Sequence, residues 1–132
     1  MDIKYEKTKS FILAWSIEDT VSLFFIPSFV EQCYRYEDAK LIKNTSLAII
    51  KNLLEEELVR AGDLLADNTF IPWKMSIDKI IDKIKQEWES LGRELEMYEL
   101  VWFEITDKGR REFEYLNSLP ELKETDPFYD DE

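Results

Sequence analysis

Apolar residues recur at helical spacing in the first third of the chain. Ser16 is suited to cap a helix start, and acidic residues follow it at once. Positions three and four residues apart then form one apolar face: Ile17, Val21, Phe24 and Phe25. Pro27 lacks the backbone donor that a helix interior needs, so it should kink this helix or begin a second one. A second helix would carry Phe29, Val30 and Cys33.

The longest helical pattern runs from Asp38 to Leu58. Its apolar stripe consists of Ile42, Ile49, Ile50, Leu53 and Leu54. The polar residues 44–46 are able to cap a new start, which leaves open two shorter helices in place of one. The helical period is lost after Leu58 and a glycine follows. Residues 58–65 are therefore predicted to turn into a short strand.

The middle of the chain predicts a hairpin strand and a second clear helix. Residues 66–68 are a turn signal. Residues 69–73 form a short β-type run, and its proline confines that run to the edge of a sheet. A helix follows over Ser76–Leu91, where apolar residues keep the i, i+3, i+4 rule, and Gly92 is placed to end it.

The last predicted elements complete a mixed fold. Residues 100–105 are rich in β-formers and predict a buried strand. Thr106 caps a final helix, which Pro120 stops. The pattern as a whole predicts an α+β fold with four or five helices and a small, mostly antiparallel sheet. We expect one globular domain over 1–120 and an acidic tail over 121–132, either frayed in solvent or folding against a basic partner.

Two stretches resemble winged-helix-like domains of a small bacterial protein family, over roughly residues 38–116. Leu53–Asp63 is similar to the end of a recognition-type helix and the first wing strand. Ile105–Arg110 is similar to the closing wing strand and the Thr-x-Lys-Gly-Arg entry to the next helix. The sequence departs from the regulators of this class in placing the helix Ser76–Leu91 between the wing strands. Its recognition-type segment has three lysines, four acids and no arginine, whereas base edges are usually read by Arg, Lys, Asn or Gln.

The amino-acid composition excludes most kinds of catalytic site. The 132 residues carry a formal net charge of −12, contain no histidine and have one cysteine. Disulfides within the chain and Ser-His or Cys-His nucleophile pairs are therefore excluded, and most metal sites are disfavoured. Acid pairs such as Asp78 and Asp82 alternate with lysines, as solvated helix faces do. We expect no enzyme, no cofactor and no metal.

The charged N-terminus and the lone Cys33 favour a cytoplasmic protein without a membrane segment.

The charge instead favours an interaction protein. An acidic surface speeds association with a basic partner and suppresses wrong partners. Small immunity proteins that neutralise basic toxins are analogous in size and charge. The predicted partner-binding residues are Glu55, Glu56, Glu57, Asp63, Asp67 and Trp73. Trp73 is included because it lies beside Pro72 in a short edge segment and is the tryptophan we expect to be partly exposed. Trp88 and Trp102 are predicted in the core.

The alternative is a winged-helix regulator that binds DNA as a dimer. Its positive side would be built from Lys40, Lys43, Lys51 and Arg110. The net charge makes nucleic-acid binding the less favoured expectation, because phosphate neutralisation dominates such binding. A homodimer is compatible with either hypothesis. A continuous positive face along the helix 38–58 would favour the regulator.

Overall fold

Six helices and four strands follow one another in the computed structural model, which describes residues 2–17, 20–96 and 99–123. The helices are α1 (Ile3–Ser16), α2 (Ile26–Tyr34), α3 (Ala39–Glu55), α4 (Ile77–Ser90), α5 (Asp107–Asn117) and the single-turn α6 (Pro120–Lys123). The strands are β1 (Thr20–Ser22), β2 (Val59–Leu64), β3 (Phe70–Pro72) and β4 (Trp102–Ile105). The predicted α+β class is confirmed.

One antiparallel sheet joins all four strands in the order β1-β4-β2-β3. β4 is central and buried on one face, as its β-forming residues predict. β3 lies at the edge, where Pro72 interrupts no ladder on its outer side. α4 separates β3 from β4 along the chain, so the predicted inserted helix is present.

The prediction for the N-terminal segment is wrong. Ser16 ends α1 instead of starting a helix, and its hydroxyl donates to the Ile12 carbonyl at 2.9 Å. Val21 lies in β1, where it pairs with Phe103 of β4. α1 shows no amphipathic pattern in the sequence, because three of its five buried residues are polar or charged: Thr8, Lys9 and Ser16.

The long central helix is continuous. Asp38 caps α3 by accepting from the backbone N–H groups of Lys40 and Leu41. Ser46 starts no second helix, because its hydroxyl donates to the Ile42 carbonyl one turn back. Pro27 lies in the first turn of α2, which confirms the alternative in which it begins a helix.

The core lies between the inner face of the sheet and helices α1, α2 and α3. Its largest fully buried side chains include Phe29, Ile50, Leu53 and Phe103. α4 packs along α3, and α5 packs on α1. α6 adds Leu122 to the core, so the folded part extends past residue 120, where the acidic tail was predicted to begin. Residues 124–132 lie outside the described part of the chain.

Candidate functional site: an acidic patch at the end of α3

α3 ends in a Schellman motif that places Glu57 in a conformation usually reserved for glycine. The Leu58 N–H donates to the Leu53 carbonyl and the Glu57 N–H to the Leu54 carbonyl, both at 3.0 Å. Glu57 has φ +61°. A side chain in this left-handed region costs about 1–2 kcal/mol, which is why glycine is common here. The fold therefore keeps a carboxylate at this position at a cost in stability.

The three consecutive glutamates also lie at the negative end of the α3 dipole. Acidic side chains at a helix C-terminus are destabilising, and the last turn of α3 has no basic residue. Neither Glu55 nor Glu57 forms an ion pair within the described residues, and both are exposed. Glu56 turns towards α1 instead. Acidic residues at a helix C-terminus with no basic residue nearby break a local rule of helix stability, and such exceptions are expected at functional sites.

A buried lysine draws three helices together beside these glutamates. The Lys9 ammonium of α1 lies 2.9 Å from Glu112 of α5, 3.1 Å from Glu6 and 3.9 Å from Glu56. Burial acts to lower the pKa of Lys9, but the hydrogen bonds to Glu112 and Glu6 outweigh it and leave the pKa above its ordinary value. Three carboxylates around one cation leave this cluster with a net charge of −2. Sequence reasoning missed it, because only the Glu6–Lys9 spacing is a local signal.

We call the five carboxylates at this end of the molecule the α3 acidic patch: Glu6, Glu55, Glu56, Glu57 and Glu112. Tyr5 lies against it, with the Lys9 ammonium 5.1 Å from its ring centre. The Tyr5 hydroxyl is buried and has no hydrogen-bond partner among residues 2–17, 20–96 and 99–123. Its burial, with the nearby glutamates, raises the pKa of Tyr5 to about 12, so the phenol is neutral at physiological pH.

A groove of about 500 Å³ opens beside Glu57 and also contains Trp73. We call it the hairpin groove; its lining includes Leu54, Glu57, Val59, Trp73, Ile80 and Asp107. Trp73 is half-buried, with the Lys83 ammonium 5.0 Å from its ring centre. Two cations also line the groove, and one of them, Arg60, is paired with Glu104. The structure thus joins Glu57 and Trp73, two of the predicted residues, on one surface.

Asp63 and Asp67 lie apart from this surface, on the β2–β3 hairpin. Asp67 accepts from the Thr69 N–H at 3.0 Å, and hydrogen bonding from the Thr69 side chain, with that N–H, lowers the pKa of Asp67 below its ordinary value. The aspartate therefore shapes the turn. Asp63 is exposed and stands opposite Ile71 in the sheet register. Neither residue lines the hairpin groove, so the structure divides the predicted set.

The lysines of α3 are paired along the side that α4 covers. Lys43 lies 2.9 Å from Glu89, and Lys51 lies 3.6 Å from Asp78. Lys40 stays exposed at the start of the helix. α4 therefore occupies one side of the recognition-type helix and neutralises two of its three cations. The continuous positive face that a DNA regulator would use is interrupted there.

Three basic residues lie at the start of α5. Lys108, Arg110 and Arg111 are exposed and make no ion pair within the described residues. Arg110 instead donates to the Ile17 carbonyl at 2.6 Å. This contact ties the N-terminus of α5 to the end of α1.

Most of the net charge lies outside the described residues. They contain 22 of the 29 acids and all 17 basic residues, so their formal net charge is −5. The other seven acids are at positions 18 and 19 and in 124–132. Because the described part of the chain is only moderately acidic, its own selectivity for a cationic partner would depend on where its acids are placed.

Other candidate chemistry finds little support. Cys33 is half-buried, and burial raises the pKa of its thiol, which disfavours the reactive thiolate. Over residues 2–17, 20–96 and 99–123, no group of three or more His, Cys, Asp or Glu is arranged to hold a metal ion. Within the same ranges, no helix has both the length and the apolar character needed to cross a membrane.

No protein-family model, curated protein or solved structure matches this chain.

Proposed function

We propose that this protein binds a basic protein partner through the α3 acidic patch and the adjoining hairpin groove. The observation that carries the proposal is Glu57, a carboxylate held in a glycine-type conformation at the negative end of a helix. Strain that the surrounding structure maintains is a pointer to function. Glu55 adds a second charge that forms no ion pair with any described residue.

The patch and the groove supply complementary parts of a protein interface. Exposed carboxylates steer a cationic surface and set its orientation. Trp73 offers a half-buried aromatic anchor of the kind that dominates binding energy at interface centres. A basic nuclease-type toxin, masked by this protein in the manner of an immunity protein, is the partner class we propose. The single cysteine favours the reducing cytoplasm as the compartment.

The proposal is tested with protein labelled with 5-fluorotryptophan, which gives four fluorine resonances because the chain has four tryptophans. A twelve-residue oligoarginine peptide is the probe. We expect saturable, salt-sensitive binding that shifts the Trp73 resonance. Glu57→Lys should weaken binding about tenfold or more, because like charges across an interface cost several kcal/mol.

The matched control is Asp82→Lys, which changes the charge equally at an exposed site on the outer side of α4. It should weaken binding much less than Glu57→Lys. Equal effects of the two variants would show a diffuse response to net charge and would refute a specific patch.

The alternative function is a winged-helix regulator that binds DNA. It is kept open by the antiparallel pairing of β2 with β4, the two strands that the resemblance assigns to the wing. The pairing of Lys43 and Lys51 with α4 weighs against it. A 20-base-pair duplex titrated into the same labelled protein separates the two functions. Tight duplex binding at physiological salt, with no response to oligoarginine, would replace the proposed function by the alternative.

A further inference from the structure

Another groove lies at the opposite end of α3, where α2, α3 and the end of α4 meet. It has a volume of about 810 Å³. We call it the α4-end groove. Its apolar lining consists of Phe24, Pro27, Ile42, Trp88 and Leu95. Each of these side chains is half-buried, so the groove presents apolar surface that the fold itself does not cover completely.

The charged rim of this groove is acidic once internal ion pairs are considered. Two of its three cations are already engaged: Lys43 with Glu89, and Arg93 with Glu99 through two hydrogen bonds of 3.0 and 2.6 Å. These bonds from Arg93 lower the pKa of Glu99 to about 2. Each pair is neutral overall and therefore adds no net charge for a ligand.

Three further acids on the rim have no such partner. Glu31, Glu37 and Glu94 are exposed and form no ion pair within the described residues. Lys40 is the rim cation that stays outside any ion pair there, and it adds to the positive charge that lowers the pKa of Glu89. The charge remaining for a partner is therefore negative, around an apolar centre.

We propose that the α4-end groove is a second docking site, which receives a basic amphipathic segment of the protein partner. An apolar side chain of the segment packs against Trp88, and its Lys or Arg residues face Glu31, Glu37 and Glu94. This is the helix-in-groove mode of recognition, in which apolar anchors recur on one helix face. The inference rests on the proposed function for the basic character of the partner, and it adds a separate surface and the form of the bound segment.

The two docking surfaces lie at the two ends of one rigid element. α3 has 17 residues and is therefore about 25 Å long. A single globular partner spans this distance, and so does about eight residues of extended chain. Simultaneous contact at both ends would make the second binding event intramolecular and raise the overall affinity.

The test uses the 5-fluorotryptophan protein again, because Trp88 and Trp73 report on different grooves. The probe is a synthetic 15-residue peptide with Leu at helical i, i+3, i+4 spacing and Lys elsewhere. We expect it to shift the Trp88 resonance and to bind about tenfold or more weakly to the double variant Glu31→Lys/Glu94→Lys. The Trp88 shift should survive Asp82→Lys, and a peptide of scrambled sequence should not produce it.

Three results would overturn the inference. The first is a peptide that shifts only Trp73, which would leave the proposed function standing. The second is an unlabelled chain that forms a dimer lost on Glu31→Lys, since a second copy would then cover the groove. The third is equal binding of the ordered and scrambled peptides. Failure of the proposed function is recognised separately, by the absence of any Trp73 response to oligoarginine.

Discussion

Replacing Glu57 by glycine should stabilise the protein and weaken its binding to a cationic partner. Glu57 has φ +61°, and a side chain there costs about 1–2 kcal/mol. Removing a carboxylate from a helix C-terminus gains about 0.3–1 kcal/mol more. Glycine gives back about 0.5–1 kcal/mol through the greater entropy of the unfolded chain. The net gain is about 1 kcal/mol, or about 3–5 °C in Tm for a chain of this length.

A second variant separates strain from charge. Glu57→Gln removes the charge and keeps a side chain in the left-handed conformation, so its gain should be about 0.3–1 kcal/mol and should shrink as salt is added. The additional gain of Glu57→Gly over Glu57→Gln comes from the backbone and should be independent of salt. The hydrogen bond from the Thr106 hydroxyl to the residue-57 carbonyl, 2.7 Å, is available to both variants.

The assay is urea unfolding followed by circular dichroism at low and high salt, with binding to oligoarginine measured on the same preparations. Both variants should be more stable than the parent and bind more weakly. A destabilised Glu57→Gly would show that the glutamate side chain supports the fold. Unchanged binding would show that its conformation has no connection with a partner. Either result would refute the reasoning behind the proposed function.

Three other changes test separate parts of the structure. Gly109→Ala should destabilise the fold by about 1–3 kcal/mol in urea unfolding, because its methyl group would lie 2.2 Å from the Leu58 carbonyl oxygen. A neutral effect would contradict the tight packing of α5 on the α3–β2 turn. Lys9→Met should lower the unfolding free energy by about 3 kcal/mol, since three carboxylates then lose their shared cation, and a stabilised variant would show that the cluster is dispensable. Burial raises the pKa values of Tyr5 and Tyr34 from 10.0 to about 12, so the folded protein holds these two protons more tightly than the unfolded chain does, and the unfolding free energy should fall as the pH rises from 10 towards 12. Absorbance at 295 nm should therefore show two tyrosines ionising late. Tyr5→Phe should be neutral or stabilising, because the buried hydroxyl has no hydrogen-bond partner in the described part of the chain.

Residues with local signals account for the parts of the fold that the sequence predicted. Asp38, Ser76 and Thr106 each cap a helix by accepting from the first-turn backbone, as their residue types indicate. Pro72 kept its strand at the sheet edge, and Gly92, with φ +65°, follows the end of α4. Each of these effects acts within about four residues of the chain, so a single sequence displays it.

Only part of the candidate site could be predicted from such local sequence signals. The run Glu55–Glu57 is visible as a charge cluster, and Trp73 as an aromatic residue beside a proline. Their different roles depend on geometry, because successive helix positions point about 100° apart and the third residue lies beyond the helix end. Asp67 was grouped with them on charge alone, whereas its carboxylate is used by its own turn.

By itself the sequence determined the amphipathic helices α3 and α4, the caps of α4 and α5, the edge strand and the absence of histidine chemistry, because periodicity, capping and composition are properties of neighbouring residues. Only the tertiary structure decided that residues 3–16 are helical, that Lys9 meets Glu112, 103 positions away, and that the lysines of α3 are neutralised by α4. These outcomes depend on contacts between elements distant in the chain. The buried face of α1 is largely polar and therefore gives no hydrophobic period in the sequence. The burial of its Lys9 is explained only by the carboxylates that the fold brings to it.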